Sequence, residues 1–278
     1  MKRFFVLLTM LCVLITNTAF AQTLDSITNF EDNYVTVTEM GLPKKGDTNI
    51  GAKKAHARKA AILNGYSALI AEVKGIQVTD EMTTEDLAFS SGSVNARLSG
   101  VVRNAKIVKE EWNPTEETYT VTLRMPIFGA TNSVASAVIP RNEPKQPFMQ
   151  ATSYVQEKGL TQLSHESLAT NGNYTGVIID CRGLDVKRAM SPNIVDETNA
   201  PVYGHKNLNP DYIVEHGMVS YSKDINNCPR AGHNPMVLKA VGVKGTSSPR
   251  ISNADTAKLL GENEVSHFLD NTNVVFVI

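Results

Sequence analysis

The chain has 278 residues, of which 42% are hydrophobic, and its formal net charge is −1 at pH 7. The hydrophobic content excludes an intrinsically disordered chain, and the length is sufficient for one or two domains with cores of their own. The nearly balanced charge argues against a nucleic-acid-binding protein, whose footprint is a strongly basic domain.

The first 21 residues have the pattern of a cleavable secretory signal peptide. Lys2 and Arg3 precede an apolar run over residues 4–15, and Ala19 and Ala21 are the small residues that signal peptidase requires before its cleavage site. The apolar run is shorter than the roughly 20 residues of a membrane-spanning helix. We therefore expect an exported protein without a transmembrane segment after cleavage, located in the periplasm or at the periplasmic face of the outer membrane.

Cys12 allows an alternative, because bacterial lipoproteins are lipidated on a cysteine that ends the signal peptide. Leu11 directly before it is a poor residue for the lipoprotein peptidase. Cleavage after Ala21 is the favoured interpretation, and lipidation of Cys12 stays open.

The first half of the mature chain alternates between strand and helix patterns. The sequence predicts a strand over residues 34–38, a helix over 49–74, a strand over 76–79, a polar excursion over 83–91 and a helix over 94–102. A β-hairpin is expected over residues 105–112 and 118–128, because apolar and polar residues alternate strictly in its second run.

The helix over residues 49–74 is the longest of these elements. Asp47 or Thr48 is expected to cap its start and Gly75 to end it. Its predicted apolar face consists of Ile62, Tyr66, Leu69, Ile70 and Val73. The opposite side carries a basic run, for which a solvated face is more common than a site for an anionic polymer; this run consists of Lys53, Lys54, Arg58 and Lys59.

Residues 131–172 differ in composition, with three prolines followed by a stretch rich in Gln, Ser and Thr. This composition predicts a linker with one helix over residues 153–168. The predicted organisation is therefore a signal peptide over 1–21, an α+β domain over 22–130, this linker, and a second small α+β domain over 173–278.

The second domain is predicted to begin with an apolar strand over residues 174–181. A hairpin follows over 193–196 and 202–203, and another strand over 236–243. Ser252 and Asp255 resemble a capping box that opens a short helix ending at Gly261. A buried strand is expected over residues 273–278.

Cys181 and Cys228 remain after signal cleavage, and in an oxidising compartment we expect them to form a disulfide. The alternatives are that each is a small buried side chain, or that Cys181 is a nucleophile with His205, His216 or His233 as its base. The six histidines are scattered without metal-ligand spacing. We therefore predict no catalytic, cofactor-binding or metal site.

Two stretches carry a family resemblance: residues 57–66 with 73–78 (ARKAAILNGY and VKGIQV), and residues 98–105 (LSGVVRNA) with the hairpin that follows. Residues 34–128 resemble the LPP-twenty lipoprotein domain, a family that includes FlgP-like flagellar components and is similar to the N-terminal domain of flagellar assembly protein T. The resemblance implies a β-α-β-α-β-β module with an antiparallel sheet and no catalytic residues. Residues 176–184 and the motifs near Met190 and Val202 resemble a region that accompanies this domain in uncharacterised envelope proteins.

The resemblance implies a non-enzymatic structural or assembly factor, around the flagellum or the outer membrane. Its expected partners are envelope or flagellar proteins, or further copies of the same chain, and no nucleic acid. The alternative is a periplasmic module that binds a small ligand or a peptidoglycan fragment, which would require a concave pocket with a few convergent polar groups.

Overall fold

The computed structural model describes residues 24–160, 170 and 172–278. The predicted signal peptide and Cys12 lie outside these residues. The protein has the predicted α+β architecture, with one antiparallel sheet followed in the chain by two further four-stranded sheets. No helix within the described ranges combines the length and apolarity needed to cross a membrane.

Seven elements form the N-terminal part. They are β1 (Asp25–Asn29), β2 (Tyr34–Gly41), α1 (Ile50–Lys74), α2 (Thr84–Ser90), α3 (Gly92–Arg103), β3 (Lys106–Asn113) and β4 (Thr118–Pro126). The sheet has the order β1-β2-β4-β3, and all its pairs are antiparallel, as predicted. The predicted strand over residues 76–79 is reduced to one bridge between Gln77 and Thr83, and the polar excursion after it forms α2.

Helix α1 packs on the sheet through a narrower stripe than the apolar pattern predicts. Its buried residues are spaced four apart, and only the last two belong to the predicted face: Ala57, Ala61, Gly65, Leu69 and Val73. Small side chains dominate because helix and sheet lie very close together. A Cβ added at Gly65 would come within 2.7 Å of Leu123 Cδ1, and one added at Gly41 would overlap the backbone of the helix. The helix begins after Asn49, one residue beyond the predicted caps, and ends at Gly75 as predicted.

The β3-β4 hairpin confirms the strongest strand prediction. Val121, Leu123 and Met125 alternate along β4 and are buried under α1. Strand β3 forms one edge of the sheet, and its pairing with β4 is interrupted by a bulge between Ile107 and Lys109.

The predicted linker is partly built into the core. It contains α4 (Val134–Val138), whose side chains are almost all buried, and α5 (Ala151–Glu157). The predicted helix over residues 153–168 therefore begins earlier than expected. Its described part ends at Glu157, and residues 161–169 lie outside the described ranges.

The C-terminal part has ten α-helices and β-strands. They are β5 (Gly176–Asp180), β6 (Ile194–Val195), β7 (Pro201–Tyr203), α6 (Pro210–His216), β8 (Ser220–Ser222), β9 (Pro235–Lys239), β10 (Gly242–Lys244), β11 (Ser248–Arg250), α7 (Asn253–Ser266) and β12 (Val274–Val277). One sheet has the order β8-β12-β5-β9 with every pair parallel, and the other has the order β10-β11-β6-β7.

The C-terminal predictions are confirmed with two differences. The β6-β7 hairpin and the buried last strand are present, and β12 lies between β8 and β5. The single strand predicted over residues 236–243 is divided into β9 and β10. Helix α7 passes through Gly261 and ends at Ser266, and the next residue, His267, adopts a left-handed conformation with φ 54°.

The N- and C-terminal parts share one large hydrophobic cluster. Residues 77–80 run against the C-terminal part, where the Met190 amide donates to Gln77 O at 2.9 Å and the Ser191 amide donates to Val78 O at 2.7 Å. Lys244 Nζ lies 3.2 Å from Asp80 Oδ2 beside these bonds. The two parts are therefore joined by backbone pairing as well as by apolar contact.

Candidate functional site

The predicted disulfide between Cys181 and Cys228 is not formed: both thiols are free and buried. The reason lies in the parallel sheet that separates them. Cys181 follows Val177 and Ile179 in the large hydrophobic cluster, whereas Cys228 packs with Ile178, on the opposite face of β5. Each cysteine occupies the position of a small apolar side chain, which was the alternative interpretation.

Burial also bears on the hypothesis that Cys181 is a nucleophile. It raises the pKa of the Cys181 thiol to about 12, and the neighbouring charge of Asp180 acts in the same direction. A nucleophilic cysteine needs the opposite shift, because the thiolate is the reactive form. The environment of Cys181 is typical of a structural cysteine.

The basic side of α1 packs against the β3-β4 hairpin. Lys53 Nζ lies 2.6 Å from Glu117 Oε1, and Arg58 Nε donates to Glu110 Oε2 at 2.7 Å. Lys54 Nζ stands 5.9 Å from the centre of the Trp112 ring. These contacts within the protein account for three of the four basic residues.

The histidines do not converge. His56 pairs with Asp47, His216 contacts the Tyr212 ring at a tilt of 46°, and His267 lies near Asp270. Within the described ranges, no group of His, Cys, Asp and Glu residues is arranged to hold a metal ion. His165 lies outside these ranges.

Asp196 has the most perturbed carboxyl pKa in the C-terminal part, but its environment indicates a structural role. Its side chain is fully buried, and burial by itself would raise the pKa. Donors from Lys158, Thr198 and Ala200 outweigh that effect and hold the pKa at about 2. The Tyr154 hydroxyl lies 3.1 Å from the same carboxylate. Because Lys158 and Tyr154 belong to the α5 region, the network fastens the predicted linker to the C-terminal part.

A concave site lies where the N-terminal part, the predicted linker and the C-terminal part meet. This junction cleft has a volume of about 510 Å³, within the roughly 300–1,000 Å³ of small-molecule sites. The C-terminal part adds Pro201 to its apolar lining, most of which comes from the first two of these segments: Val78, Met82, Leu87, Val138, Ile139 and Pro140. The N-terminal part adds Thr79 to its polar lining, most of which comes from the linker and the C-terminal part: Glu143, Gln146, Ser191, Asn193, His205, Lys206 and Asn207.

His205 is the titratable group that distinguishes the junction cleft. Its Nε2 is shielded from solvent and has no hydrogen-bond partner in the structure. Burial lowers the pKa of His205, and the charge of Glu143 opposes this shift more weakly. The imidazole is therefore neutral at neutral pH, with an unsatisfied ring nitrogen, and an unpaired buried polar atom is energetically unfavourable.

Backbone contacts hold the cleft wall around His205. The Gln146 amide donates to Lys206 O at 2.7 Å, which ties the proline-rich segment to the loop after β7. Gly204 precedes His205, and a Cβ at this position would overlap the Asn193 side chain. The wall is therefore formed by two segments that are far apart in sequence.

A second surface feature is the edge of the parallel sheet. Strand β9 is the last strand on one side of this sheet, and Val237 projects from it with 54% of its surface exposed. Val241, just beyond β9, is 57% exposed. We call Val237 and Val241 the β9 edge patch. It borders the smaller apolar cluster around Ile178 and Val275, with which the loop containing Cys228 packs.

Sequence reasoning missed both features. His205 was considered only as a base for Cys181, and the prolines after Ile139 indicated a linker rather than a wall. The continuous apolar run of Met236, Val237 and Leu238 is typical of a strand enclosed on both faces, so the exposure of Val237 left no signal in the sequence.

Residues 176–278 match the family model described as the second domain of Treponema pallidum Tp0624. This is a different family from LPP-twenty, and the match lies outside residues 34–128, so the LPP-twenty resemblance remains a prediction. No curated protein matches the chain.

Proposed function

We propose that this protein is an exported, non-enzymatic structural or assembly factor of the bacterial cell envelope. Its place is the periplasm or the periplasmic face of the outer membrane, among flagellar or outer-membrane proteins. The observation that carries the proposal is the β9 edge patch, an apolar surface at the open side of a parallel sheet.

The patch favours a protein partner for two physical reasons. Parallel sheets are normally covered on both faces, and Val237 stands at the margin of the face where only a small cluster is buried. An edge strand also presents backbone donors and acceptors to which an extended segment of another chain can add. The proposed occupant is a strand of an envelope protein, either a flagellar component or another copy of this chain.

The predicted signal peptide supports the proposal independently, because a secretory leader directs a chain to the envelope.

The test is a charge placed on the patch. Val237→Lys is expected to abolish an envelope complex recovered by crosslinking in cells, because a lysine would have to be desolvated on docking. Val265→Lys on α7 is the matched control, since Val265 is exposed to the same extent at 55%. In-cell crosslinking and the solution mass of the purified chain give the readout. A strict monomer without any crosslinked complex, or a complex that survives Val237→Lys, would contradict the proposal.

A second candidate function is a binding module for a small ligand or a peptidoglycan fragment, which the junction cleft favours. The cleft has the expected combination of a largely apolar lining with a few polar groups. Pull-down on isolated sacculi tests the peptidoglycan form of this hypothesis. Retention that is unchanged when Met82→Trp partly fills the cleft would contradict it.

A further inference from the structure

We infer that a groove in the N-terminal part binds the carboxylate of a small organic acid with an apolar body. The groove has a volume of about 530 Å³, within the size range of small-molecule sites. It is separate from the β9 edge patch and from the junction cleft, so the inference goes beyond the proposed function. We call it the Arg124 groove, and its lining includes Tyr34, Lys106, Val108, Arg124, Pro126 and Asn132.

The two cations of the Arg124 groove are paired across neighbouring strands. Lys106 on β3 and Arg124 on β4 are direct Cα partners in the antiparallel register, so their side chains leave the same face of the sheet. That face is turned away from α1, because Leu123 and Met125 on either side of Arg124 are buried under the helix. Like charges directly opposite each other are destabilising, and an anion bound between them would remove this repulsion.

Within the described ranges, neither of these cations has a carboxylate partner. Asp32 is the acidic residue of the lining, and it instead accepts a hydrogen bond from the Asn29 side-chain amide at 2.9 Å. The lining therefore holds two cations against one carboxylate, and a concave surface with an excess of one charge attracts ligands of the opposite charge.

Arg124 is held in position although it lies at the surface. Its Nε donates to Thr36 Oγ1 at 3.3 Å, and its guanidinium carbon stands 4.3 Å from the centre of the Tyr34 ring. No described residue accepts a hydrogen bond from the terminal nitrogens Nη1 and Nη2 of Arg124. A carboxylate can accept from both of them at once, and an arginine that is already oriented loses less conformational entropy on binding.

The apolar body of the ligand follows from the remaining lining. Val108 lies at the bulge of β3 with 46% of its surface exposed, and Pro126 is exposed as well. A bulge directs a side chain out of the regular alternation of a strand. An apolar group next to the carboxylate would cover Val108 and Pro126 and remove apolar surface from water.

The probes for the test are 2-naphthoate and 2-naphthamide, which has a neutral amide in place of the carboxylate. Binding to the purified protein is followed by ¹H–¹⁵N NMR titration at about 0.15 M ionic strength, where exposed charges are screened beyond about 8 Å. We expect saturable binding of 2-naphthoate with the largest shifts at the amides around Val108 and Arg124. We expect 2-naphthamide to bind about tenfold more weakly, the effect of losing one charge-assisted hydrogen bond.

Four variants locate the site and its charges. Arg124→Gln should weaken 2-naphthoate about tenfold and leave 2-naphthamide unchanged. Arg124→Lys keeps the charge without the two parallel donors and should weaken 2-naphthoate about threefold, as should Lys106→Gln. Lys109→Gln is the matched control and should change neither probe, because Lys109 lies on the same strand outside the lining with a side chain that is 73% exposed. Circular dichroism confirms that each variant is folded.

Three results would count against the inference. Equal affinities for the two probes would overturn the carboxylate as the recognised group. A preference for 2-naphthoate that survives Arg124→Gln, or that falls as much in Lys109→Gln, would show that general surface charge rather than the Arg124 groove attracts the anion. Absence of saturable 2-naphthoate binding would overturn the inference as a whole. None of these results bears on the β9 edge patch or the junction cleft, whose tests use Val237→Lys and Met82→Trp.

Discussion

The edge strands β3 and β9 resemble each other in topology but differ in chemistry. β3 carries charged residues along its length, among them Lys106, Lys109 and Glu111, and it contains a bulge at Val108. β9 is regular through Pro235–Lys239, and its exposed central residue is Val237. Charges and bulges are the devices that keep an edge from pairing with another chain. The N-terminal sheet is thus protected along β3, whereas β9 has Pro235 and Lys239 only at its ends and is left open at its apolar centre.

The largest expected effect on stability comes from the buried Asp196–Lys158 pair. This pair holds α5 to the C-terminal part, which carries the open edge. Asp196→Ala removes the buried partner of Lys158, whose side chain is only 14% exposed. We expect a loss of about 3–5 kcal/mol in the free energy of unfolding, because an uncompensated charge remains buried. Urea denaturation measures it. A loss below about 1 kcal/mol would mean that α5 is not held by this network.

The same network predicts a pH dependence with a defined sign. The folded-state pKa of Asp196 is about 2, below the ordinary value near 3.9 of an unfolded chain. Its contribution is therefore complete above about pH 4 and is lost as the pH falls toward 2. When the pH is lowered from 5 to 2, the free energy of unfolding of the wild type should fall by about 2–3 kcal/mol more than that of Asp196→Ala.

A smaller loss of stability is expected from a substitution inside the N-terminal part. Gly41→Ala places a Cβ against the backbone of α1 at Ala57 and Ala61, which cannot move aside as a side chain could. We expect a cost of about 3 kcal/mol, measured by thermal unfolding. Gly100→Ala is the matched control, because a Cβ on that glycine of α3 meets no atom within 4 Å. It should stabilise the protein by about 0.5–1 kcal/mol. Equal effects of the two substitutions would contradict the close packing of α1 on β2.

The smallest effect on stability comes from removing the protection of β3. Lys109 and Glu111 are exposed neighbours whose charged atoms lie 3.6 Å apart, and such pairs contribute about 0–1 kcal/mol. The double substitution of both by Val should therefore leave the unfolding midpoint nearly unchanged. It should nevertheless cause self-association that depends on concentration, detected by light scattering. If the variant stays as monodisperse as the wild type, the charges do not protect this edge.

Much of the fold could be predicted from periodicity, and the failures have local causes. The helix over 49–74 and the β3-β4 hairpin were predicted because their apolar patterns are long and regular. α1 nevertheless buries Ala57 and Gly65 rather than Ile62 and Tyr66, because the close approach of helix and sheet leaves room only for small side chains at these positions. α4 was missed because the five residues between the turn at Gly129 and Pro140 carry too short a pattern.

The candidate site was less predictable than the fold. Compartment and composition suggested that Cys181 and Cys228 form a disulfide, but the sequence does not reveal that a sheet lies between them. Conversely, His205 and Ile139 are distant in sequence and line the same cleft only in the folded chain, where the Gln146 amide binds Lys206 O and residues 77–80 pair with the C-terminal part. Tertiary placement of this kind leaves no local signal.

The strand order of the parallel sheet determines when this sheet can form. β8 and β5 are not neighbours, because β12 lies between them and pairs with both. β12 follows β8 by about fifty residues in the chain, and pairing across such separations is slow to develop. The parallel sheet can therefore be completed only after β12 has been synthesised. Until then, β8 has no partner in this sheet, and only the β5-β9 pair can form.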